Sequence, residues 1–135
     1  MKPLLVRALF LLLCLLGFTG YVVVSSGDLP SRVATHFDAQ GNPNGWMSRD
    51  GHIRFMLGFG WLFPLFMWGV FFAIRFLPSG LVNMPNREYW LSPERRAITC
   101  DWLLLHGFWL SVLSVGFCGG MHSLVIQAAR SPSGQ

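Results

Sequence analysis

Three long apolar segments without a charged residue dominate the sequence. Residues 8–27 and 55–74 are two such segments of 20 residues each, and residues 102–129 form a third of 28. A helix rises 1.5 Å per residue and the hydrocarbon core of a bilayer is about 30 Å thick, so about 20 apolar residues span it. The pattern predicts an all-α membrane protein with three transmembrane helices. We place these helices at about residues 4–26, 53–77 and 98–128.

The composition agrees with this pattern. Hydrophobic residues make up 53% of the chain and charged residues only 12%, against roughly 25% charged in an average soluble domain. The net charge is +4, but the basic residues do not form the continuous face that a nucleic-acid site requires. Basic residues flanking membrane spans explain the charge more simply. We therefore expect the lipid bilayer as the surroundings of the protein and no nucleic-acid partner.

The distribution of basic residues predicts the orientation. Six of the ten Lys and Arg residues fall on one side of the three spans, with Arg7 and Arg75 counted there because they lie close to the span ends, and four fall on the other side. Because cytoplasmic segments are enriched in Lys and Arg, we predict a cytoplasmic N-terminus and a cytoplasmic loop at 78–97. The loop at 27–52 and the tail at 129–135 are predicted to lie outside.

The first apolar segment has an alternative interpretation as a cleaved signal peptide. Val24 and Ser26 suit the small-residue positions before a cleavage site. The unbroken apolar run from Ala8 to Val24 is longer than the apolar region of most signal peptides, which favours an uncleaved span. In both interpretations the following loop lies outside.

Small residues recur within the apolar segments at helical spacing. Transmembrane helices approach one another closely through such residues, and those in the third span follow one another at intervals of three or four, on one helix face. We expect them to pack the three spans into a bundle, alone or as a homo-oligomer. The predicted packing residues are Gly58 and Gly69 in the second span and Gly107, Ser111, Ser114 and Cys118 in the third.

Two histidines lie inside the third span. His106 and His122 are 16 residues apart, which is about 24 Å along a helix, too far for direct proton transfer. With no acidic residue between them, we expect each to hydrogen-bond a neighbouring helix rather than to relay protons.

A turn-rich segment joins the first two spans. The sequence Gly41-Asn42-Pro43-Asn44-Gly45 combines the three residue types that favour tight turns, so we predict an ordered external loop. Three interpretations of its polar residues remain open. His36 and Asp38 hold the turn by hydrogen bonds, which we favour, or together with His52 they bind zinc as weak metal candidates, or His36 senses protons. We assign no cofactor.

The external loop resembles the bacterial membrane family catalogued as domain of unknown function 1648. The family pattern has a Leu-Pro pair, a His-Phe pair and a Gly-x-Pro-x-Gly-Trp turn between two helices, the second of them kinked. The resemblance covers about residues 5–70, within a two-helix module at 1–77. Ala34 replaces a frequent proline and Asn44 a frequent aspartate, and the missing carboxylate weakens any implied metal site. The loop residues assigned to ligand binding are Leu29, Pro30, His36, Phe37, Asp38, Gly41, Pro43, Gly45 and Trp46.

The family resemblance implies a bacterial inner-membrane location and ligand sensing at the external loop. Distant relatives are immunity and signalling membrane proteins that respond to peptide toxins, and they are longer than this chain. A peptide from outside the cytoplasm is therefore the implied ligand.

The predicted cytoplasmic loop concentrates polar and aromatic side chains. Anchoring in the membrane interface is the interpretation we favour, and docking of a cytoplasmic partner is the alternative. The residues concerned are Asn86, Arg87, Tyr89, Trp90, Glu94 and Arg95.

Enzyme chemistry has no support in the sequence. It contains no nucleophile with an adjacent base, no phosphate-binding glycine loop and no closely spaced carboxylate pair. We therefore predict a non-enzymatic protein that senses or binds a peptide or protein at the external loop, in immunity or signalling. The alternative is an accessory subunit that stabilises a larger membrane complex through a membrane-protein partner.

Overall fold

The computed structural model describes residues 3–130, which form three long helices, a β-hairpin and two short helical turns. Three helices in this part of the chain are long and apolar enough to span a membrane, which confirms the predicted three-span fold. The elements are α1 (Pro3–Ser25), β1 (Arg32–Phe37), β2 (Pro43–Ser48), α2 (Arg49–Ala73), a 3₁₀ turn (Ser79–Leu81), α3 (Arg87–Trp90) and α4 (Arg96–Arg130).

The observed helix ends differ from the predicted ones by a few residues. α2 begins four residues early because Ser48 caps it, with its hydroxyl accepting a hydrogen bond from the backbone N–H of Gly51 at 3.1 Å. α4 continues to Arg130, so the helix takes in the first two residues of the predicted tail. The remaining tail residues, 131–135, lie outside the described residues.

The segment between α1 and α2 contains a two-stranded antiparallel sheet, where the sequence predicts only an ordered turn-rich loop. The strands pair from Arg32 opposite Ser48 to Phe37 opposite Pro43, with two irregularities in between. At the turn Gly41 has φ of 85°, a left-handed conformation that glycine adopts without strain. The mostly helical fold therefore carries a small sheet at one end.

The hairpin defines the two ends of the helix bundle. α1 and α4 both run towards it, and α2 runs away from it. We call this the hairpin end, and we call the opposite end, next to residues 74–95, the loop end. The apolar core between the helices draws on all three of them: Leu11, Leu15, Phe18 and Val22 of α1, Met56 of α2, and Phe108, Val115 and Cys118 of α4.

Two of the predicted packing residues of α4, Gly107 and Ser111, lie at its interface with α2. A Cβ added at Gly107 would come within 2.5 Å of the Phe71 side chain, so only glycine permits this approach. The buried hydroxyl of Ser111 donates to the carbonyl of Pro64 at 2.8 Å. Cys118 is buried in the core. Ser114 is also buried, but its hydroxyl donates within α4, to the carbonyl of Leu110.

The prediction for α2 was wrong in its choice of glycines. A Cβ added at Gly58 or Gly69 would meet nothing within 4 Å, whereas one at Gly60 would lie 2.6 Å from Cζ of Phe18. The buried face of α2 repeats every four residues, through His52, Met56, Gly60 and Pro64. Gly58 and Gly69 share a different helix face, which is turned outward.

Candidate functional site at the hairpin end

A buried chain of hydrogen bonds joins the three spans at the hairpin end. His52 Nε2 of α2 lies 2.9 Å from His122 Nδ1 of α4. His122 Nε2 lies 2.9 Å from the hydroxyl oxygen of Ser25 in α1, and that hydroxyl donates to the carbonyl of Tyr21. Each of the three helices thus supplies one polar side chain to a single interhelical connection, and both histidines are buried.

The direction of this chain follows from donor counting. Ser25 has one hydroxyl hydrogen and gives it to the Tyr21 carbonyl, so it must accept from His122 Nε2–H. With neutral rings, Nδ1 of His122 then accepts from Nε2–H of His52. The same rule leaves Nδ1 of His52 without a proton, so its lone pair is available to an external donor or a metal ion.

The other histidine of α4 does not join neighbouring helices. His106 Nδ1 lies 2.8 Å from the carbonyl of Trp102 in its own helix, and its ring lies against the Trp102 indole with centroids 3.8 Å apart. The prediction of an interhelical hydrogen bond was therefore wrong for His106. Its side of α4 is exposed, so no second helix is within reach.

A cavity of about 360 Å³ lies beside this chain, beneath the hairpin and between α2 and α4. We call it the hairpin pocket. Its floor contains buried side chains of both helices, and hairpin residues line it from above. It is lined by Thr35, His36, Met47, His52, Phe55, Met56, Phe59, Phe117, Cys118, Met121 and Val125.

The hairpin is fixed to the bundle by apolar packing. Leu29 and Val33 are buried against Ile126 and Ala129 near the end of α4. The backbone N–H of Arg49 also donates to the carbonyl of Ser31 at 3.0 Å, which ties the start of α2 to the chain before β1. The hairpin therefore keeps a defined position over the pocket.

Asp38 organises the hairpin turn. Its carboxylate accepts from the backbone N–H groups of Asn42 at 2.8 Å and Gln40 at 3.0 Å, and from the Asn42 side-chain amide at 3.2 Å. The hydrogen bond from the Asn42 backbone is the main reason why the pKa of Asp38 is lowered below its ordinary value. This is the hydrogen-bonding role favoured for Asp38. His36 instead packs on Gly45, and a Cβ added at Gly45 would come within 2.8 Å of the His36 Cβ.

The three weak zinc candidates do not form a site. The Asp38 carboxylate serves the turn, whereas His36 and His52 line the hairpin pocket. Among residues 3–130, no three His, Cys, Asp or Glu side chains lie close enough to share a metal ion.

The outer surface of the hairpin is aromatic. Phe37 is 44% exposed and Trp46 is 42% exposed, and the Arg32 guanidinium lies 6.0 Å from the centre of the Trp46 ring. Leu29 of the predicted loop motif is buried in the hairpin anchor instead. The motif thus divides into residues that fix the hairpin and residues that face outward.

The loop end has its own polar network. Arg96 donates to the carbonyls of Ile74, Arg75 and Leu77 and to the hydroxyl of Ser79. It thus satisfies the C-cap carbonyl of α2 and holds the segment that follows the helix. Arg75 pairs with Asp101 of α4. These contacts hold the end of α2 against the start of α4.

The residues singled out in the predicted cytoplasmic loop contact one another or the loop backbone. Arg87 donates to the carbonyl of Gly80 at 3.0 Å, and the Arg95 guanidinium lies 4.1 Å from the centre of the Tyr89 ring. Asn86 takes a left-handed conformation with φ of 52°, which asparagine tolerates.

Two further members of this group differ in their surroundings. The pKa of Glu94 is lowered by its own backbone N–H and by the Ser92 hydroxyl. Trp90 is 45% exposed and lines an apolar groove with Trp102.

Sequence reasoning missed several residues of the hairpin end. It assigned no role to Ser25, Met47, Met56 or Met121. A usable signal was present for the histidine pair, because His52 begins the second span and His122 lies near the end of the third. Antiparallel neighbouring spans bring those two positions to the same end.

Comparison with known proteins supports the predicted family. Residues 9–74 match the family model described as Domain of unknown function (DUF1648), and they run from α1 through the hairpin to the end of α2. Comparison with curated proteins and with solved structures finds no match in either set. The resemblance seen in the loop motif is therefore confirmed over residues 9–74, which match the DUF1648 model.

Proposed function

We propose that this multi-pass membrane protein binds an extended peptide segment, from a free peptide or a protein, at its β-hairpin. The observation that supports this proposal most directly is a two-stranded sheet that is packed onto the helix bundle and exposes two aromatic side chains, Phe37 and Trp46. Neither strand pairs with a third strand in the described chain. An unpaired strand edge is the surface to which extended peptides add, while side-chain contacts supply specificity.

The mounting of the hairpin supports this function. Its anchor residues are already buried, and Asp38 already holds the turn. A preformed binding surface loses little conformational entropy when a ligand arrives, so more of the contact energy contributes to affinity.

The proposed readout runs through α4 to the predicted cytoplasmic loop. This helix is continuous over 35 residues. It packs against Leu29 and Val33 of the hairpin anchor at one end, and its Asp101 pairs with Arg75 at the other. A sensing role in peptide immunity or signalling requires a physical link between the two membrane faces, and α4 is the candidate for it.

Site-specific photo-crosslinking in cells tests the proposal. A benzophenone amino acid at position 37 or 46 should give a discrete adduct that maps by mass spectrometry to one extended segment. The matched control is position 113, since Leu113 is a similarly apolar and exposed residue away from the hairpin. Adducts with lipid only, or the same adducts at position 113, would refute peptide binding at the hairpin.

The proposed orientation places the hairpin outside the bacterial inner membrane. It rests on the six-to-four distribution of Lys and Arg. Fusion of the C-terminus to a phosphatase that is active only outside the cytoplasm should give activity, and a fluorescent protein that folds only in the cytoplasm should stay dark there. The opposite pattern would reverse the assignment.

A second candidate function is that of an accessory subunit in a larger membrane complex, and one observation favours it. Gly58, Leu62, Leu65 and Gly69 share an outward face of α2, and the two glycines have nothing packed over them. Small residues on an outer helix face allow close approach of another transmembrane helix. Affinity capture from native membranes should then recover a stoichiometric partner or a second copy, and Gly69→Leu should release it, whereas recovery of the chain alone would exclude this role.

A further inference from the structure

The lining of the hairpin pocket is unusually rich in sulfur and imidazole. Methionine, cysteine and histidine together account for thirteen of the 135 residues, so eleven average residues would include about one of them. Six of the eleven lining residues belong to these types. They are His36, Met47, His52, Met56, Cys118 and Met121.

The same pocket is poor in oxygen ligands. The Thr35 hydroxyl is the one side-chain oxygen among the lining residues, and no carboxylate or amide side chain lines the pocket. Hard cations such as Mg²⁺ and Ca²⁺ require oxygen ligands, whereas thiolate and thioether sulfur favours Cu(I). The low charge of the surroundings also favours a monovalent ion, because burying a divalent ion among neutral ligands is much more costly.

The strongest donors lie at the buried floor of the pocket. His52 and Cys118 are each 2% exposed and Met56 is 4% exposed. In the tautomer derived above, Nε2 of His52 is the donor to Nδ1 of His122, 2.9 Å away, which fixes the ring and leaves the Nδ1 lone pair of His52 for a ligand. A second-shell hydrogen bond of this kind is a general feature of metal-binding histidines.

The mouth of the pocket has the same chemistry in more accessible positions. Met121 is 45% exposed, and His36 is also exposed on the hairpin above it. Met47 lies between the two layers on β2. Flexible thioether side chains at an entrance can adjust to an incoming ion.

We propose that the hairpin pocket binds a soft monovalent metal ion, Cu(I), through Cys118, Met56 and His52, with His36, Met47 and Met121 forming its entrance. On binding, the Cys118 thiol releases its proton to solvent and the thiolate coordinates Cu(I), so the charge of the complex is balanced and no electron is transferred. Zinc is not the expected ion, because its sites use three or four His, Cys or carboxylate ligands, a grouping not found in residues 3–130.

This proposal is independent of peptide binding, because it concerns the interior beneath the hairpin rather than its exposed aromatic surface. A protein could bind peptide without metal or metal without peptide. A negative result in the Cu(I) test therefore leaves the peptide proposal standing, and a negative crosslinking result leaves the Cu(I) proposal standing.

Competition for Cu(I) with a chromophoric chelator, under anaerobic reducing conditions, tests the site in the full chain in lipid nanodiscs. We expect one Cu(I) per chain. Met56→Leu, a change of similar volume, and Cys118→Ala should each weaken binding on the order of tenfold or more. The matched controls are Met67→Leu and Cys100→Ala, since Cys100 is buried like Cys118 but lies outside the pocket.

X-ray absorption of the wild-type complex supplies a second measurement that needs no variant. Sulfur neighbours together with a nitrogen neighbour are expected around Cu(I). The proposal would be overturned if the chain bound no Cu(I), or if pocket and control variants lost Cu(I) affinity equally. It would also be overturned by an all-oxygen environment around the metal, or if Zn²⁺ competed equally for the site.

Discussion

Replacing Gly107 with alanine tests how α4 packs on α2. The new methyl group would lie 2.5 Å from Cγ and Cδ2 of Phe71 and 2.6 Å from its Cβ. Because the last of these atoms is next to the backbone, a rotation of the ring cannot relieve the contact and the helices must separate. Overpacking of this kind costs about 1–3 kcal/mol.

The matched control is Gly116→Ala in the same helix. A Cβ at Gly116 meets nothing within 4 Å, so this change adds helix propensity without a clash. Alanine exceeds glycine in helix propensity by up to about 1 kcal/mol, and both variants share that gain. The difference between the two free energies of unfolding therefore isolates the clash, and we expect it to be about 1–3 kcal/mol.

Equilibrium unfolding in mixed detergent micelles, followed by circular dichroism, measures both variants. A second change, Phe71→Gly, removes the Cβ together with the ring, so the double-mutant cycle with Gly107→Ala should give a favourable coupling. Equal stability of Gly107→Ala and Gly116→Ala would refute the close approach of α4 to α2 at this position.

Three further predictions concern the polar contacts. Ser25→Ala removes the acceptor of His122 Nε2 and should lower the free energy of unfolding by about 0.5–1.5 kcal/mol; an unchanged value would mean that this bond does not hold α1. The folded-state pKa of Asp38 lies below 3.8, so its carboxylate stabilises the hairpin turn above that pH and the contribution is lost as the pH falls through the folded value. The protection factors of the turn amides, which correct for the pH dependence of intrinsic exchange, should fall on that acidification in the wild type but not in Asp38→Asn. Arg96→Lys replaces the planar guanidinium by a single ammonium group, which cannot donate in the same geometry. It should raise the rate of amide exchange in residues 74–81 about tenfold. An unaltered rate would mean that other groups cap α2.

The sequence predicted the spans because length and charge alone determine them. A segment of 20 uncharged apolar residues has few alternatives to a transmembrane helix, and each of the three predicted spans overlaps an observed helix. Their ends were less predictable. The Ser48 cap adds four residues to α2, and a capping interaction is a local signal that a hydropathy pattern does not contain.

The faces of α2 could not be predicted from residue size. Gly58 and Gly69 have the spacing of a packing face, as do Met56, Gly60 and Pro64, and the sequence alone gives no reason to prefer one set. The choice depends on where the Phe18 ring projects from α1. That is a relation between helices, so no pattern within α2 could have revealed it.

The strands of the hairpin were hidden for a related reason. Arg32–Phe37 carries two adjacent buried residues, Val33 and Ala34, instead of the alternation that marks a half-buried strand. The register irregularity next to Ala34 disrupts the two-residue period. The turn residues were recognisable because their chemistry is local.

The distribution of polar contacts explains why function is sought at the hairpin end. In a bilayer the hydrophobic effect does not drive one apolar helix onto another, so close packing and interhelical hydrogen bonds determine which arrangement is stable. The contacts of Gly60 and Gly107 lie along the interfaces of α2 and leave no space there for a ligand. The hairpin end combines a three-helix hydrogen-bond chain with an open pocket directly beside it. A ligand that engages His52 acts on a residue that is hydrogen-bonded to His122 of α4 and, through His122, to Ser25 of α1. Binding at this position therefore reaches all three helices.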